Sequence, residues 1–531
     1  MRPPSPFRSA GVTVPLFSLR RRGDWGIGTI DALVPFAGFV ARHGFSLVQL
    51  LPPHELPATE TSPYGARTAF ALDPIYLNVE SIAELDAAAV HEALGADGRD
   101  AVAHLRQTTR VDYTTVRACK GRVLEAAFSR FDAAPGPRKE AFERFREAER
   151  SWLDDHALYV AAAALHKGGD WRTWPLEHRL RDAEALASLA ASEKGALDRA
   201  AYEQFLLFEA WGAMRAELGK LAVRLMGDLP FIVGHASVDA WARAGEFDRE
   251  KSLGAPPDGF APEGQDWGLP SFNWDAMDRT NLAWVRARTR HAARLYDCFR
   301  VDHVIGLFRQ WTKRAGEKEG SFTPKVESEQ RDRGEKVLRA MVEEAGPGRV
   351  IAEDLGVIPD WARRTLHTLR IPGYKVLPWE KDGRGFLREP RGFDPLSVAT
   401  WSTHDTAPVT QWWDDFSPKE RAAWTERARG ESLEARLRVL FEAGSDLCLV
   451  QVQELLGDRT RTNEPGTVGG HNWTNRLPLP VEELSEHEAL GAFLGRIRRH
   501  LVDTGRARTV PGALSVGSEA SAAATAGSPA A

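Results

Sequence analysis

Cysteine is nearly absent from this chain: Cys119, Cys298 and Cys448 are the only three in 531 residues. They lie far apart in no paired or metal-ligand spacing, which excludes a disulfide framework and a zinc site built on thiolates. No uncharged apolar run approaches the roughly 18 residues of a membrane span. Residues 1–11 carry two arginines and three prolines, and no apolar core of signal-peptide length precedes Asp24. The net charge of −5 gives no basic excess for nucleic acid or an anionic membrane. A glycine-rich phosphate loop is missing as well. These absences describe an unexported, cytoplasmic chain whose partner is small or neutral.

Hydrophobic residues make up 43% and charged residues 27%, which is ordinary for a globular protein. Tryptophan is the exception, with 17 against only 7 tyrosines. Such rings either fill a large core or stack on sugar faces.

Residues 45–53 form a short apolar run stopped by prolines after a helical pattern over 30–43, and read as the first barrel-like unit. From about 82 to 221 the chain turns to Ala, Glu and Arg with helical periodicity, as over 139–159, and reads as a helical insertion. Strand-like runs return at 221–233, 298–305, 349–354, 374–379, 397–404 and 447–455. Helical stretches such as 281–297 and 328–345 separate them, an alternation that argues for a parallel sheet. Residues 507–531 are Ala, Ser, Gly and Thr with almost nothing to bury, and read as a disordered tail after a single domain over 1–506.

The chemistry sits where three of these runs end: Phe299-Arg300-Val301-Asp302-His303, Ile351-Ala352-Glu353-Asp354-Leu355-Gly356 and Trp401-Ser402-Thr403-His404-Asp405-Thr406. Parallel strands of a closed barrel point their C-terminal ends one way, so such tips converge above the barrel mouth. Asp302, Glu353 and Asp405 are 51 and 52 residues apart, which leaves room for one or two strand-helix repeats between them. Strand alternation puts Arg300 and Asp302 on one face, where the guanidinium keeps the carboxylate ionised as a nucleophile requires. Glu353 and Asp354 face opposite ways, and with apolar residues on both sides alternation does not choose between them. A glutamate in a partly apolar pocket could act as acid and then base. His404 with Asp405, and Asp228 within Met226-Gly227-Asp228-Leu229-Pro230, complete the acidic set. Each segment alone is also readable as an ion pair, a helix cap or a turn, and the His404–Asp405 pair and the Asp228 turn are more often structural. Together they favour chemistry run by carboxylates, with glycoside cleavage as the leading example.

The segments Ser62-Pro63-Tyr64, Gly227-Asp228-Leu229-Pro230, Arg300-Val301-Asp302-His303, Ala352-Glu353-Asp354-Leu355-Gly356, Thr403-His404-Asp405 and Asn472-Trp473 closely resemble those of the 4-α-glucanotransferases, or amylomaltases, of the α-amylase clan. Further agreement lies in Ala255-Pro256-Pro257-Asp258, Gly264-Gln265-Asp266-Trp267-Gly268, Trp274-Asp275, Ile371-Pro372-Gly373-Tyr374-Lys375-Val376-Leu377 and Pro465-Gly466-Thr467. The resemblance implies a (β/α)8 TIM barrel with helical insertions. It implies a retaining transfer of an α-1,4-glucan segment to the 4-hydroxyl of glucose or another maltooligosaccharide. Asp302 would be the nucleophile, Glu353 the acid/base and Asp405 the transition-state stabiliser. Tyr64, Asp228, Arg300, His404, Phe260, Asn472 and Trp473 would bind substrate, without cofactor or metal. Donors would be maltooligosaccharides and starch- or glycogen-derived glucans. Gly259 stands where the family pattern has a tyrosine, which leaves Phe260 as the acceptor-side aromatic. A retaining glucan hydrolase, a non-catalytic glucan-binding homologue and a metal-dependent hydrolase are the alternatives, and the oligomeric state stays open.

Overall fold

The computed structural model describes residues 8–508 except 169, 258–263, 315–316, 318 and 468. Eight short parallel strands close into a barrel: β1 (Ser9–Thr13), β2 (Leu47–Gln49), β3 (Arg224–Leu229), β4 (Cys298–Val301), β5 (Val350–Ala352), β6 (Gly373–Val376), β7 (Ser397–Thr400) and β8 (Leu447–Gln451). Their order around the barrel is their order in the chain, and β8 pairs with β1 to close it. The six later runs and 45–53 thus fall on strands. The first barrel unit lies earlier than 45–53, however, because Ser9–Thr13 already forms a fully buried strand. Its sequence, Ser-Ala-Gly-Val-Thr, is too short and too poor in large apolar side chains to stand out.

The inside of the barrel is filled by one residue from each of seven strands: Leu47, Met226, Cys298, Ile351, Tyr374, Val398 and Leu449. On β1 the matching place is Gly11, where an added Cβ would lie 2.6 Å from Leu47 Cδ2 and 3.0 Å from Leu449 Cδ2. Glycine there lets the ring of strands close over its own packing. A period of two places the next inward residues one step further along: Gln49, Asp228, Arg300 and Glu353. The register agrees, with Asp228 level with Arg300, and Val301 level with Ala352. The choice between the two neighbours is therefore made by Ile351, whose inward position turns Glu353 inward and Asp354 out. Asp354 accepts the Tyr374 N–H at 2.7 Å and pairs with Arg363 at 3.4 Å.

The insertion expected over 82–221 is helical, with long helices at Ala87–Leu105, Tyr113–Ala133, Pro137–Leu165 and Lys194–Lys220. The last of these belongs to the barrel wall: Arg215 grips Asp297 with two bonds of 2.6 Å, and Asp297 accepts the Leu225 N–H at 2.7 Å. A second sheet was not legible in the sequence. Four antiparallel strands, in the order Gln265–Phe272, Phe247–Ala255, Gln310–Arg314 and Ser321–Thr323, rise beside the mouth between β3 and β5. Most tryptophans pack the interior, with Trp171, Trp241, Trp284, Trp401 and Trp424 almost wholly buried.

The chain is clasped at its ends by Arg506, which is fully buried and donates five bonds to the carbonyls of Ser9, Phe441, Ala443, Ser445 and Asp446. Ala507, the first residue of the expected tail, packs against the core, and residues 509–531 lie outside the described residues. Among the described residues no helix is long and apolar enough to cross a membrane.

Candidate active site

A cleft of about 630 Å³ opens over the C-terminal end of the barrel, within the range of roughly 300–1,000 Å³ usual for ligand sites. Asp302, Glu353, Asp405, Arg300 and Tyr64 all line it. The two carboxylates on which the sequence argument rested thus share one cavity. Apolar and aromatic wall comes from Phe231, Ile232, Leu355, Trp379 and, off the second sheet, Trp267 and Leu269.

Arg300 is the electrostatic centre. Its side chain is 6% exposed, donates to both oxygens of the fully buried Asp228 at 2.8 Å, and reaches Asp302 at 2.7 Å. Burial works against its charge, but Asp228 and Asp302 outweigh burial and hold the guanidinium protonated. Desolvation pushes Asp228 upward, with Arg300 opposing. One cation so serves two carboxylates, of which only Asp302 looks into the cleft.

Glu353 lies across the same space. Its Oε2 accepts the His303 N–H at 2.9 Å and its Oε1 the Leu355 N–H at 2.8 Å. Those bonds and Arg300 favour the ionised form. Burial, with Asp302 adding to it, prevails and raises the Glu353 carboxyl to about 7. The His303 N–H is aimed by an unusual backbone, φ +43° in a non-glycine residue. His303 also packs edge-on against Trp267 at 4.9 Å and Phe231 at 5.3 Å, which supports that conformation.

Asp405 behaves oppositely. Burial would raise it, but His404 at 3.2 Å, an Asn463 amide bond of 2.7 Å and Arg300 hold it well below the usual carboxylate range. His404 is in turn raised by Asp405 against its own burial. The His404 ring stacks on Tyr64 with centroids 5.3 Å apart, and the Tyr64 hydroxyl lies 2.9 Å from Nε2 while donating to Asp228 at 2.7 Å. A chain Asp228–Tyr64–His404–Asp405 therefore runs behind the cavity wall.

Asp228, His404 and Trp473 are each at most 7% exposed, and they reach the cleft through Arg300, Tyr64 and Asp405. Trp473 packs near the rings of Tyr64 and His404 at 5.8 and 5.9 Å. Asn472, expected as a sugar contact, is buried and bonded within its own loop. Its oxygen accepts the Glu464 N–H and its nitrogen donates to Thr467, which closes the 464–472 loop. Phe260 lies outside the described residues. Sequence reasoning missed Asn463, Trp379 and the wall made by Phe231 and Ile232. Trp379 is set apart only by its 48% exposure in a chain whose other tryptophans are mostly core, which the sequence does not display. Asn463 carries no local signal, because what makes it matter is a contact 58 residues away. Among the described residues no group of three or more His, Cys, Asp or Glu could hold a metal ion.

Known proteins resemble this chain over most of its length. Among curated relatives, the 4-alpha-glucanotransferase of Chlamydia pneumoniae is 30% identical over 508 residues, covering 92% of this chain and 94% of that protein. The 4-alpha-glucanotransferase of Thermus thermophilus is 32% identical over 493 residues, 88% and 94% of the two chains. An amylomaltase from Streptococcus agalactiae, solved in complex with acarbose, superposes with a TM-score of 0.81 at 25% identity, over 94% of this chain and all of that one. The family model described as 4-alpha-glucanotransferase matches residues 14–481, from just after β1 to beyond the 464–472 loop, and the chain belongs to that family.

Proposed function

We propose that Asp302 and Glu353 carry out a retaining double displacement on α-1,4-glucans, with Asp405 gripping the donor ring. The observation that carries this is the contrast within one cleft. Asp302 is paired with the permanently charged Arg300, while Glu353 is raised to about 7 and can carry a proton at neutral pH.

In the first step the Glu353 carboxylic acid gives its proton to the glycosidic oxygen, an Asp302 oxygen attacks the anomeric carbon, and the carbon–oxygen bond to the leaving glucan breaks. A covalent glycosyl-enzyme and a free chain end result. In the second, the Glu353 carboxylate takes the proton from the 4-hydroxyl of an acceptor, whose oxygen attacks the anomeric carbon and releases Asp302. Two inversions leave the α configuration. Asp405, held ionised, would stabilise the oxocarbenium-like charge of both transition states. Tyr64 offers a ring face at the cleft floor, while Asp228 and His404 hold Arg300, Tyr64 and Asp405 in place. The donors would be maltooligosaccharides and starch- or glycogen-derived chains, and the acceptors glucose or another maltooligosaccharide.

Whether sugar or water completes the second step depends on what the walls exclude. Trp267, Trp379 and Leu269 give the cleft an apolar border that favours a sugar face over bulk water. Incubation with maltotriose tests the reading. Glucose together with longer oligosaccharides, at a constant number of reducing ends, is the expected result. A rise in reducing ends without longer products would replace it with hydrolysis.

A further inference from the structure

A second cleft, of about 610 Å³, lies between the helical insertion and the helix Val238–Ala242, and shares no residue with the cavity of Asp302 and Glu353. Four arginines line it, Arg172, Arg179, Arg181 and Arg249, together with Leu180 and Trp241, and no carboxylate belongs to its wall among the described residues.

These cations are incompletely neutralised. Arg172 is bonded to Asp170 and Arg181 to Asp155, both at 2.5 Å. Among the described residues Arg179 reaches only the carbonyl of Arg172, at 3.4 Å. Arg249 lies over the Trp171 ring at 5.0 Å and has no acidic partner among the described residues. Arg181 lies over the Trp241 ring at 4.2 Å, while its Nη1 is shielded from solvent and without a hydrogen-bond partner. A guanidinium nitrogen removed from water and left unbonded is costly, and like charges sharing one wall repel. A dianion placed among them relieves both, and the planar fork of arginine matches a phosphate group in particular. Two further features separate this wall from an ordinary solvated basic face. Its back is a tryptophan held rigid by an Nε1–H bond of 2.9 Å to the His178 carbonyl. Its rim carries Leu180, 68% exposed, next to Leu176, 56% exposed, which offers apolar surface to an organic group.

We propose that this cleft binds a phosphate monoester, a small molecule whose phosphate is held by Arg179, Arg181 and Arg249 and whose organic part lies toward Leu180. The site is separate from the glucan cleft, and its ligand is neither donor nor acceptor in the transfer reaction.

Isothermal titration calorimetry on the full chain tests this, with glucose 6-phosphate, adenosine monophosphate, inorganic phosphate and glucose as titrants. One phosphate ester should bind saturably at one site per chain, and glucose should not bind there. In the double variant R179Q/R249Q the same ester should bind about tenfold more weakly or worse, the order expected when charge-assisted hydrogen bonds are lost. Charge reversal at a single exposed position, R249E, should act in the same direction. Disproportionation of maltotriose should proceed at the wild-type rate in both variants, which shows that they are folded. Inorganic phosphate binding as tightly as the esters would overturn the assignment of a monoester, since the organic part would then add nothing at Leu180. Tighter binding of an ester would identify a metabolite. Absence of saturable binding by any of the three up to ~10 mM, a bound state weaker than about 3 kcal/mol, would overturn the proposal. So would binding that R179Q/R249Q and R249E leave unchanged.

Discussion

Replacing Glu353 by glutamine tests the central assignment, because the change keeps the shape of the side chain and removes only its ability to exchange a proton. With its carboxyl raised to about 7, Glu353 is about half protonated at pH 7, whereas at its ordinary value of 4.5 it would be protonated in well under ~1% of molecules. Losing a positioned acid costs about 10²–10⁴-fold in rate, or roughly 2.7–5.5 kcal/mol in the barrier, so E353Q should transfer from maltotriose at most ~1% as fast as the wild type. The loss should depend on the leaving group. With α-maltosyl fluoride the departing fluoride needs no proton, and the first step should recover. Added azide then needs no base to attack the glycosyl-enzyme and should give an α-maltosyl azide. The wild-type rate with maltotriose should fall as pH rises past about 7, where the acid is lost, although that limb belongs to the interacting pair Asp302 and Glu353. Stability moves in the same sense. A carboxyl raised in the folded state binds its proton more tightly there, so its contribution is complete below about 4.5 and is lost as pH rises through about 7. The full difference is about 3 kcal/mol, less where water in the cleft screens the charge. E353Q should lack this slope, at the cost of one backbone donor. Both Glu353 oxygens accept N–H groups, and the glutamine NH2 must face either His303 or Leu355. Rates within tenfold of the wild type on maltotriose, or a fluoride donor as slow as maltotriose, would refute the assignment.

Asp302→Asn should remove turnover by at least ~10³-fold while leaving maltooligosaccharide binding measurable by calorimetry; an unchanged rate would discredit it as nucleophile. Asn463→Ala should lower kcat more than it raises KM, because Asp405 keeps its place but loses a 2.7 Å donor, and Asn463→Asp should be worse through like-charge repulsion; equal activity in all three proteins would show the contact to be idle. Arg506→Ala should lower thermal stability by ~2–4 kcal/mol, since five carbonyls each lose a guanidinium donor, while deletion of residues 509–531 should leave Tm nearly unchanged; calorimetry distinguishes the two. Overnight incubation with EDTA followed by dialysis should leave the maltotriose rate unaltered, and inhibition reversed by a divalent ion would point to a metal that the carboxylates bind.

The barrel was readable from residue order because short apolar runs ending in polar tips, spaced by helices, admit few arrangements other than a parallel closed sheet. Asp302 beside Arg300 was readable too, since two residues apart on a strand is a local relation. The second sheet was not. Its strand Phe247–Ala255 alternates little, with exposed charges at Arg249 and Glu250, and its partners are set by tertiary pairing with Gln310–Arg314.

What the sequence determined by itself is therefore the set of side chains that reach the barrel mouth and the strand ends that bring them there, because strand direction and a period of two are local properties. The tertiary structure alone decided which of Glu353 and Asp354 faces inward. It also decided that Arg300 divides its charge between Asp228 and Asp302, that Asn472 closes a loop, and that Asn463 holds Asp405. Each of these depends on register, burial or a contact between distant segments, and the electrostatic consequence of a carboxylate exists only once its neighbours and its share of solvent are fixed.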